Sequence, residues 1–225
     1  MSREDLLAEQ RRYYAERAPE YDDWWFRRGR YALEPDAEAR WHADVAEVED
    51  ALARFDVHGS VLELAAGTGL WTRRLAATVD RVVAVDANEE TLALNRARVA
   101  DGRVEYVVAD VFDWEPEERF DLCFFGFWLS HVPAALFAEF WRRVRAALRP
   151  GGRVFLVDSA AGDRVHTYPG GGGEIEVRRL SDGREFRVVK RRWDAAELAG
   201  AVASLGWRLD LRTSTNGHFV YGGGA

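Results

Sequence analysis

Three carboxylates and a pair of glycines stand at the points of this sequence where predicted strands end. Glu63 precedes the small-residue turn AAGTG, which contains Gly67 and Gly69, and Asp86 and Asp110 close the next two apolar runs. Glycines just past a buried strand let a ligand approach the backbone without meeting Cβ atoms. The helix start that follows offers unpaired amide N–H groups to the same ligand. This spacing predicts a ligand site along one edge of a parallel sheet.

The three acids suit different parts of one ligand. Asp86 lies about twenty residues after the turn, where a carboxylate can accept the hydroxyl protons of a ribose diol. Glu63 would repel a diphosphate and favour an ammonium group. Asp110, followed by Val111 and Phe112, offers a carboxylate for an exocyclic amine and apolar walls for a flat ring. The pattern therefore predicts a ligand with an amine, a sugar and a base.

Other residues exclude several nucleotide ligands. Trp71 and Thr72 stand where a dinucleotide fingerprint needs open space and a third glycine, so a dinucleotide fits poorly. Lys190 is the only lysine and lies far from Gly67, which excludes a P-loop. A pyridoxal Schiff base could use only Lys190, which we expect to be exposed in the basic strand FRVVKRRW. Both chemistries are set aside.

The composition narrows the function classes further. Apolar residues make up 48% of the 225 residues and charged residues 31%, which is typical of one soluble globular domain. The net charge of −7 gives no general attraction to nucleic acid. One cysteine, Cys123, and five scattered histidines predict neither a disulfide framework nor a metal site. The charged N-terminus and the lack of a long apolar run predict a cytoplasmic protein without membrane spans.

The first 55 residues are helical in pattern and rich in aromatics. We predict one helix over residues 3–17, a break at Pro19, an aromatic segment over 21–31 and a second helix over 36–55. The aromatics fit a cap packed on the core. They also fit a lid over the ligand, because the adjacent Trp24 and Trp25, flanked by charges, cannot both face one core.

From residue 60 onward, short strands alternate with helices. Strands are predicted over 61–64, 82–85, 104–108, 120–125 and 153–157, with helices over 70–77, 89–100 and 134–148. Asn88 is the predicted cap of the second of these helices. This alternation predicts an α/β, doubly wound, mostly parallel sheet covered by helices on both faces.

The tail departs from that alternation. Residues 170–173 predict a flexible joint, and residues 174–193 predict a hairpin that turns at 181–183. A helix follows Asp194 and ends at Gly206, and two final strands over 207–212 and 218–221 predict an antiparallel edge. We expect a single domain over 1–225, with a helical lid at 1–55, a cofactor-binding core at 56–158 and a substrate-side portion at 159–225.

Five motifs together resemble the class I S-adenosylmethionine-dependent methyltransferases. They are VLELAAGTG at 61–69, VVAVDAN at 82–88, VVADVFDW at 107–114, FDLCFFGFWLSHV at 120–132 and ALRPGGRVFLVD at 147–158. The resemblance implies a Rossmann-like seven-stranded sheet with an antiparallel C-terminal strand, and S-adenosyl-L-methionine as cofactor. It says little about the methyl acceptor.

The resemblance also implies residue roles. Glu63 and the turn residues Ala65, Gly67, Thr68 and Gly69 would hold the methionine part. Asp86 would hold the ribose, Ala87 or Asn88 would flank the adenine, and Asp110, with Val111 and Phe112, would meet its amine and ring. Gly126 and Phe127 would lie beside the sulfonium. The stretch YYAERAPEYDDWW is similar to the tyrosine-bearing helix that closes over cofactor and substrate in small-molecule methyltransferases. Tyr14 and Tyr21 are the candidates for the tyrosines that contact cofactor and substrate there.

His131 is the candidate general base, because it follows the fourth strand where the methyl group should sit. An alternative is that His131 only shapes the pocket. His166 and Tyr168 could also reach the substrate, and His218 fits a structural role.

The predicted reaction is methyl transfer to an O or N atom of a small, partly apolar or flat molecule. Arginines 178, 179, 184, 187, 191 and 192 fit a solvated hairpin face, or a basic surface for a phosphate-bearing or RNA substrate. Methylation of RNA or protein and a non-catalytic role are the alternatives. Whether the chain forms a homodimer stays open.

Overall fold

The computed structural model describes residues 3–56, 58–162 and 174–225. The strands of its main sheet are β1 (Ser60–Leu64), β2 (Arg81–Asp86), β3 (Val104–Val108), β4 (Phe120–Gly126), β5 (Leu148–Ser159), β8 (Leu209–Thr213) and β9 (Phe219–Gly224). These seven strands lie in the order β3-β2-β1-β4-β5-β9-β8. All neighbours pair in parallel except β9, which runs antiparallel to β5 and β8. The predicted α/β fold and its antiparallel C-terminal strand are confirmed.

Strand β1 lies in the interior of the sheet, and all five of its residues are buried. A parallel strand covered on both faces needs such a continuous apolar run. Its neighbours are β2 on one side and β4 on the other, so the strand order reverses at β1. At such a reversal the loops leave the carboxyl ends of the strands in opposite directions and open a crevice. This topology places the glycine turn after β1 at the edge of that crevice.

Helices cover the sheet and its carboxyl edge. They are α1 (Arg3–Trp25), α2 (Pro35–Ala53), α3 (Thr72–Ala76), α4 (Glu89–Val99), α5 (Phe137–Ala147) and α6 (Ala195–Ala203). Short 3-10 helices occupy Gly29–Tyr31, Leu129–His131 and Ala134–Leu136. The sheet separates two apolar clusters, one containing Trp25, Trp41 and Phe124, the other Phe125, Trp141 and Trp193. Within the described part of the chain, no helix is long and apolar enough to cross a membrane.

The predicted break at Pro19 is wrong, because α1 continues to Trp25. Proline inside a helix removes one backbone hydrogen bond, at a cost of about 3 kcal/mol. Pro19 lies on the exposed side of α1, where water can satisfy the carbonyl left without a partner. Tyr13 before it and Trp25 after it are both buried, so packing on each side keeps the helix continuous.

Asn88 stands at the N-terminus of α4 as predicted, but its side chain makes no capping hydrogen bond. Its side-chain amide instead faces Asp86, with Nδ2 3.4 Å from Oδ1. At α6, Asp194 caps the helix start, since its side chain accepts hydrogen bonds from the amides of Ala196 and Glu197. Asn88 contacts a carboxylate, whereas Asp194 caps its helix.

A separate two-stranded hairpin holds α1 in place. It consists of β6 (Ile175–Arg179) and β7 (Glu185–Val189), which pair antiparallel as predicted. Leu180, Phe186 and Val188 from the hairpin are buried with Tyr13 of α1 in a small apolar cluster. The predicted joint at 170–173 lies outside the described residues. The hairpin therefore packs on α1 and is separate from the seven-stranded sheet.

Asp44 of α2 connects that helix to the C-terminal strands. Its buried carboxylate accepts five hydrogen bonds: from the Ser214 hydroxyl, the Asn216 amide and side chain, and the amide and Nδ1 of His218. Burial alone would raise the pKa of Asp44, but these donors outweigh it and lower the pKa below its ordinary 3.8. His218 therefore has a structural contact, which agrees with its predicted role.

Asp44→Ala should lower the free energy of unfolding by about 3 kcal/mol, because it leaves several buried donors without an acceptor. Urea unfolding at neutral pH measures this. Since the folded-state pKa is depressed, the contribution is present above pH ~4 and disappears as pH falls through the lowered pKa. Asp50→Ala on the same helix, whose side chain is 70% exposed, is the control and should change stability by under about 0.5 kcal/mol. Equal effects of both variants would contradict this account.

Candidate active site

The turn after β1 is held in a conformation that exposes its backbone. Ala65 and Gly67 both have positive φ angles, 53° and 57°. Glycine adopts this region without strain, whereas for Ala65 it costs free energy that the surrounding structure must offset. Asp86 supplies part of that support, because its Oδ2 accepts a hydrogen bond of 3.0 Å from the Gly67 amide. Its other oxygen accepts one of 3.0 Å from the Asn88 amide.

A cleft of about 880 Å³, including the space open at its mouth, lies over this turn. Its lining brings together most of the predicted site residues. They are Tyr14, Tyr21, Ala65, Gly67, Asp86, Ala87, Asn88, Asp110, Val111, Phe112, Gly126, Phe127 and His131. The carboxyl ends of β1, β2 and β4 and one face of α1 thus form a single concave site. We call it the main cleft.

Glu63 lies in a smaller chamber of about 320 Å³ that shares Tyr21, Ala65 and Phe127 with the main cleft. The side chain is 1% exposed, and its Oε2 has no hydrogen-bond partner. Burial raises the pKa of Glu63 to about 8. A buried carboxyl oxygen without a partner can accept a cationic hydrogen-bond donor, so this chamber suits an ammonium group.

Two of the predicted turn residues have other contacts. The Thr68 hydroxyl donates to Asp22 of α1 at 2.7 Å and accepts from Arg98 at 3.2 Å. Gly69 does not line the cleft; a Cβ there would lie 2.6 Å from the side-chain oxygen of Asn95. Gly69 therefore permits close packing of α4 on the turn. Thr68 connects α1 to the turn by its hydrogen bond to Asp22.

Asp110 lines the main cleft but already has partners. Its Oδ1 accepts a hydrogen bond of 2.8 Å from the Phe112 amide, and its Oδ2 pairs with Arg11 of α1 at 2.5 Å. Arg11 also lines the cleft. A ligand amine would therefore share Asp110 with this arginine.

A third chamber adjoins the main cleft, and we call it the basic chamber. It has a volume of about 480 Å³. It is lined by Tyr14, Arg17, Tyr21, Trp24, Phe127, His131, Ser159, Arg178, Lys190 and Arg192. Tyr14, Tyr21, Phe127 and His131 line both spaces and form the wall between them. A molecule in the basic chamber would thus meet the main cleft at these four side chains.

Hydrogen bonds fix the protonation of His131. Its Nδ1 lies 2.6 Å from the Val189 carbonyl oxygen, which can only accept, so Nδ1 carries the proton. The neutral Nε2 then accepts from the Tyr14 hydroxyl at 2.7 Å. Burial and the nearby Lys190 and Arg178 lower the pKa of His131 well below 6.5. Burial also raises the pKa of Tyr14 well above 10, so both groups are neutral at physiological pH.

Two cations of the basic chamber are buried, although the sequence pattern predicted them to be exposed. Lys190 was expected to be exposed and Arg178 to belong to a solvated face, but both are only 8% exposed, so both expectations are wrong. The hairpin turns these side chains toward α1 and away from water. A helical spacing was the available signal on α1, since residues 10, 14, 17, 21 and 24 lie three or four positions apart and share one face. His166 and Tyr168 lie outside the described residues.

The expected crowding of aromatics on α1 divides between two environments. Trp25 is 3% exposed and packs in the core against Trp41 and Trp71, as a cap would. Tyr21 and Trp24 line the chambers, as a lid would. The two interpretations thus describe different faces of the same helix. Among the described residues, no group of three or more histidine, cysteine or acidic side chains is placed to hold a metal ion.

The strand order, the glycine turn and the acid at the end of β2 define a Rossmann-like methyltransferase fold. Comparison with known proteins agrees, since the methyltransferase domain family matches residues 61–152. The structure of the DhpI-SAM-HEP complex is similar over 99% of both chains, with 35% identity and a TM-score of 0.80. The chain belongs to the class I S-adenosylmethionine-dependent methyltransferases, and S-adenosylmethionine is its cofactor.

Two curated relatives differ in what they act on. The demethylmenaquinone methyltransferase of Clavibacter sepedonicus is 39% identical over 102 residues, covering 44% of this chain and 40% of that protein. The N-terminal Xaa-Pro-Lys N-methyltransferase 1 of Danio rerio is 33% identical over 112 residues, covering 48% and 50%. The chain spans about half the length or less of these curated relatives. They support the methyltransferase class and leave the acceptor undecided.

The His131 geometry predicts a specific tautomer. In ¹⁵N-labelled protein, Nδ1 should be protonated and Nε2 unprotonated from pH 8 down to well below pH 6.5, because the folded-state pKa is lowered. Histidine ¹⁵N NMR shifts measure this. In Tyr14→Phe the Nε2 resonance should move, since its donor is lost, while the solvent-exposed His42 should not respond. A proton on Nε2 in the parent protein would contradict the arrangement.

Proposed function

We propose that the protein transfers the methyl group of S-adenosylmethionine to an oxygen or nitrogen atom of a small molecule. The observation that carries this proposal is the contact between two chambers of different chemistry. The main cleft has the acids and glycines suited to an adenosyl ligand, and the basic chamber opens beside it through a wall of four side chains. One chamber would hold the donor and the other the acceptor.

The donor fits the main cleft part by part. The ribose hydroxyls would bind Asp86, the adenine would lie between Ala87 or Asn88 and Phe112, and the amine of the adenine would reach Asp110. Glu63, the buried acid with a free oxygen, would accept the ammonium of the methionine part. The sulfonium would then lie near Gly126 and Phe127, beside the wall. Phe127 has a positive φ of 56°, a strained conformation of the kind that clusters at ligand sites.

Tyr21 lines all three chambers, so its ring stands at the point where donor and acceptor would meet. Burial raises the pKa of Tyr21 above 10, which keeps the hydroxyl neutral. We assign Tyr21 to closing the site around the methyl group. Alignment of two reactants can supply roughly 7 to 11 kcal/mol of the barrier reduction in favourable cases, so such closure suits a methyl transfer.

His131 is better suited to positioning than to taking a proton from the acceptor directly. Its Nε2 is occupied by Tyr14, and its lowered pKa makes it a weak base. Because His131 accepts the hydrogen bond of the Tyr14 hydroxyl, the Tyr14 oxygen can itself accept a hydrogen bond from an N–H or O–H group of the acceptor. The base hypothesis is thereby replaced by a Tyr14–His131 pair that orients the nucleophile.

A small acceptor is favoured over RNA because the outer hairpin arginines are already paired. Arg187 contacts Glu9 at 2.8 Å, Arg184 contacts Glu16 and Asp182, and Arg191 contacts Glu197 at 3.0 Å. These carboxylates offset a basic surface that a phosphate backbone would need.

A screen with trideuteromethyl-labelled S-adenosylmethionine tests the proposed reaction. Pools of small hydroxylated and amino compounds, tRNA and peptides would each be incubated with the protein, and mass spectrometry would detect the label. Labelled small molecules would support the proposal. Label found only in RNA or peptide would contradict the acceptor class, and cofactor binding without transfer to any pool would favour a non-catalytic role.

Asp86→Ala should weaken S-adenosylhomocysteine binding by about 10- to 100-fold, the loss expected for charged hydrogen bonds to a diol. Calorimetry measures the affinity. Asp113→Ala, an exposed acid outside the cleft, is the matched control and should bind like the parent. Thermal unfolding of both variants without ligand shows whether the turn itself has loosened. Parent-like affinity in Asp86→Ala would rule out the ribose contact.

Tyr14→Phe should lower turnover about tenfold, because one orienting hydrogen bond is lost while the ring that covers the cleft remains. Steady-state rates with the acceptor found in the screen measure this, and cofactor affinity should stay within about threefold. Tyr106→Phe is the control, since it removes a hydroxyl that has no hydrogen-bond partner and lies outside the chambers. Undiminished turnover in Tyr14→Phe would refute the role of the pair.

A further inference from the structure

Four cationic side chains from three separate segments converge on the basic chamber. Arg17 comes from α1, Arg178 from β6, and Lys190 and Arg192 from the segment after β7. Three of them are nearly buried: Arg17 is 5% exposed, and Arg178 and Lys190 are each 8% exposed. Buried charges are costly unless something compensates them. Their compensation therefore decides what the chamber can hold.

The described carboxylates around the chamber do not balance these cations. Glu176 pairs with both Arg178, at 2.9 Å, and Arg192. Asp158 lies 3.6 Å from Lys190. Asp158 also accepts hydrogen bonds from the amides of Ser130 and Ser159, so its charge is shared. Among the described residues, four cationic side chains thus face two carboxylates, while His131, Tyr14 and Tyr21 are neutral.

Arg17 has no carboxylate partner among the described residues. Its guanidinium lies over the rings of Tyr13, Tyr21 and Tyr31, with centroid distances of 5.7, 5.0 and 5.9 Å, and its Nε has no hydrogen-bond acceptor. Aromatic faces can offset part of the desolvation of a guanidinium without satisfying its N–H donors. Arg17 thus presents unused donors in a buried wall of the chamber.

Lys190 is fixed toward the chamber by its own contacts. Its ammonium donates to the hydroxyls of Ser130 at 2.8 Å and Ser159 at 3.2 Å. Ser159 also lines the chamber, and Arg178 lies on a strand of the hairpin that packs on α1. The cations are therefore held in place before any ligand arrives, which reduces the entropy lost on binding.

We infer that the basic chamber binds a doubly charged oxyanion group of the methyl acceptor, such as a phosphoryl group. Guanidinium groups bind such oxygens with paired hydrogen bonds, and an oxyanion would supply the Arg17 guanidinium with the acceptor that the described residues do not give it. This inference rests on the proposed function, because it takes the basic chamber as the acceptor side. The anion would anchor the acceptor, and the remainder would extend past Tyr14 and Phe127 toward the donor.

Binding of inorganic phosphate to the full chain tests the inference without knowing the acceptor. Calorimetry should show saturable binding of one phosphate, and acetate, which carries one charge, should bind at least tenfold more weakly. Arg178→Gln and Arg17→Gln should each weaken phosphate binding about tenfold or more, because a charged hydrogen-bond donor is removed. Arg179→Gln is the matched control: it is the next residue on the same strand, 65% exposed and paired with Glu185, and should bind like the parent.

Absence of saturable phosphate binding, equal binding of acetate, or parent-like affinity in both Arg178→Gln and Arg17→Gln would overturn the inference. Arg192→Gln, whose side chain is 23% exposed, provides a third variant if a buried substitution impairs folding. S-adenosylhomocysteine affinity is measured on the same proteins. If the parent protein binds the cofactor but not phosphate, only the anion site is refuted. If the parent protein does not bind the cofactor, the proposed function is refuted.

The pH dependence gives an independent readout. Burial, against the opposing effect of Asp158, lowers the pKa of Lys190 to about 8; Arg178 and Arg192 contribute to the lowering, and Glu176 opposes it. Sulfate stays a dianion throughout, so its affinity should fall about tenfold between pH 7 and pH 10 as Lys190 loses its proton. Lys190→Met should bind weakly with no such fall. A parent affinity that stays flat over this range would contradict the part assigned to Lys190.

Discussion

The hydrogen bond from the Gly67 amide to Asp86 is the interaction on which the shape of the main cleft depends. It ties the end of β2 to the turn after β1 and supports a strained Ala65 in a conformation that exposes backbone. Gly69 allows α4 to pack directly on that turn. A ligand site of this kind needs open backbone and a rigid frame together, and the carboxylate provides both by bracing the turn and facing the cleft.

A second constraint is the position of α1. Gln10 accepts a hydrogen bond from the Val189 amide at 2.8 Å and donates to the His131 carbonyl at 3.1 Å, so one buried side chain links the helix, the hairpin and the segment after β4. The helix cannot shift without disturbing the Tyr14–His131 contact. Helix α1 is thus part of the packed structure around the chambers, and its docking sets the wall between the main cleft and the basic chamber.

The charged side chains of the hairpin differ between its outer face and the inner face toward the basic chamber. The outer face of the hairpin pairs its arginines with acids, mostly its own or those of α1, which fastens the two elements together. On the inner face, the described cations of the basic chamber outnumber the described carboxylates beside them. Because a buried cation is far more costly than an exposed one, the inner arrangement indicates a use in binding, while the outer pairs contribute little beyond orientation.

The sequence by itself determined the sheet, its parallel order and the meeting of most predicted site residues in one cleft. Those depend on local periodicity and on short spacings, such as the interval from Gly67 to Asp86, which the strand geometry converts directly into proximity. Only the tertiary structure decided the composition of the basic chamber. The sequence pattern predicted Lys190 and Arg178 on an exposed hairpin, but docking on α1, more than 150 residues earlier, buries them beside Arg17. Contacts across such distances leave no local pattern, because burial there depends on which surfaces meet.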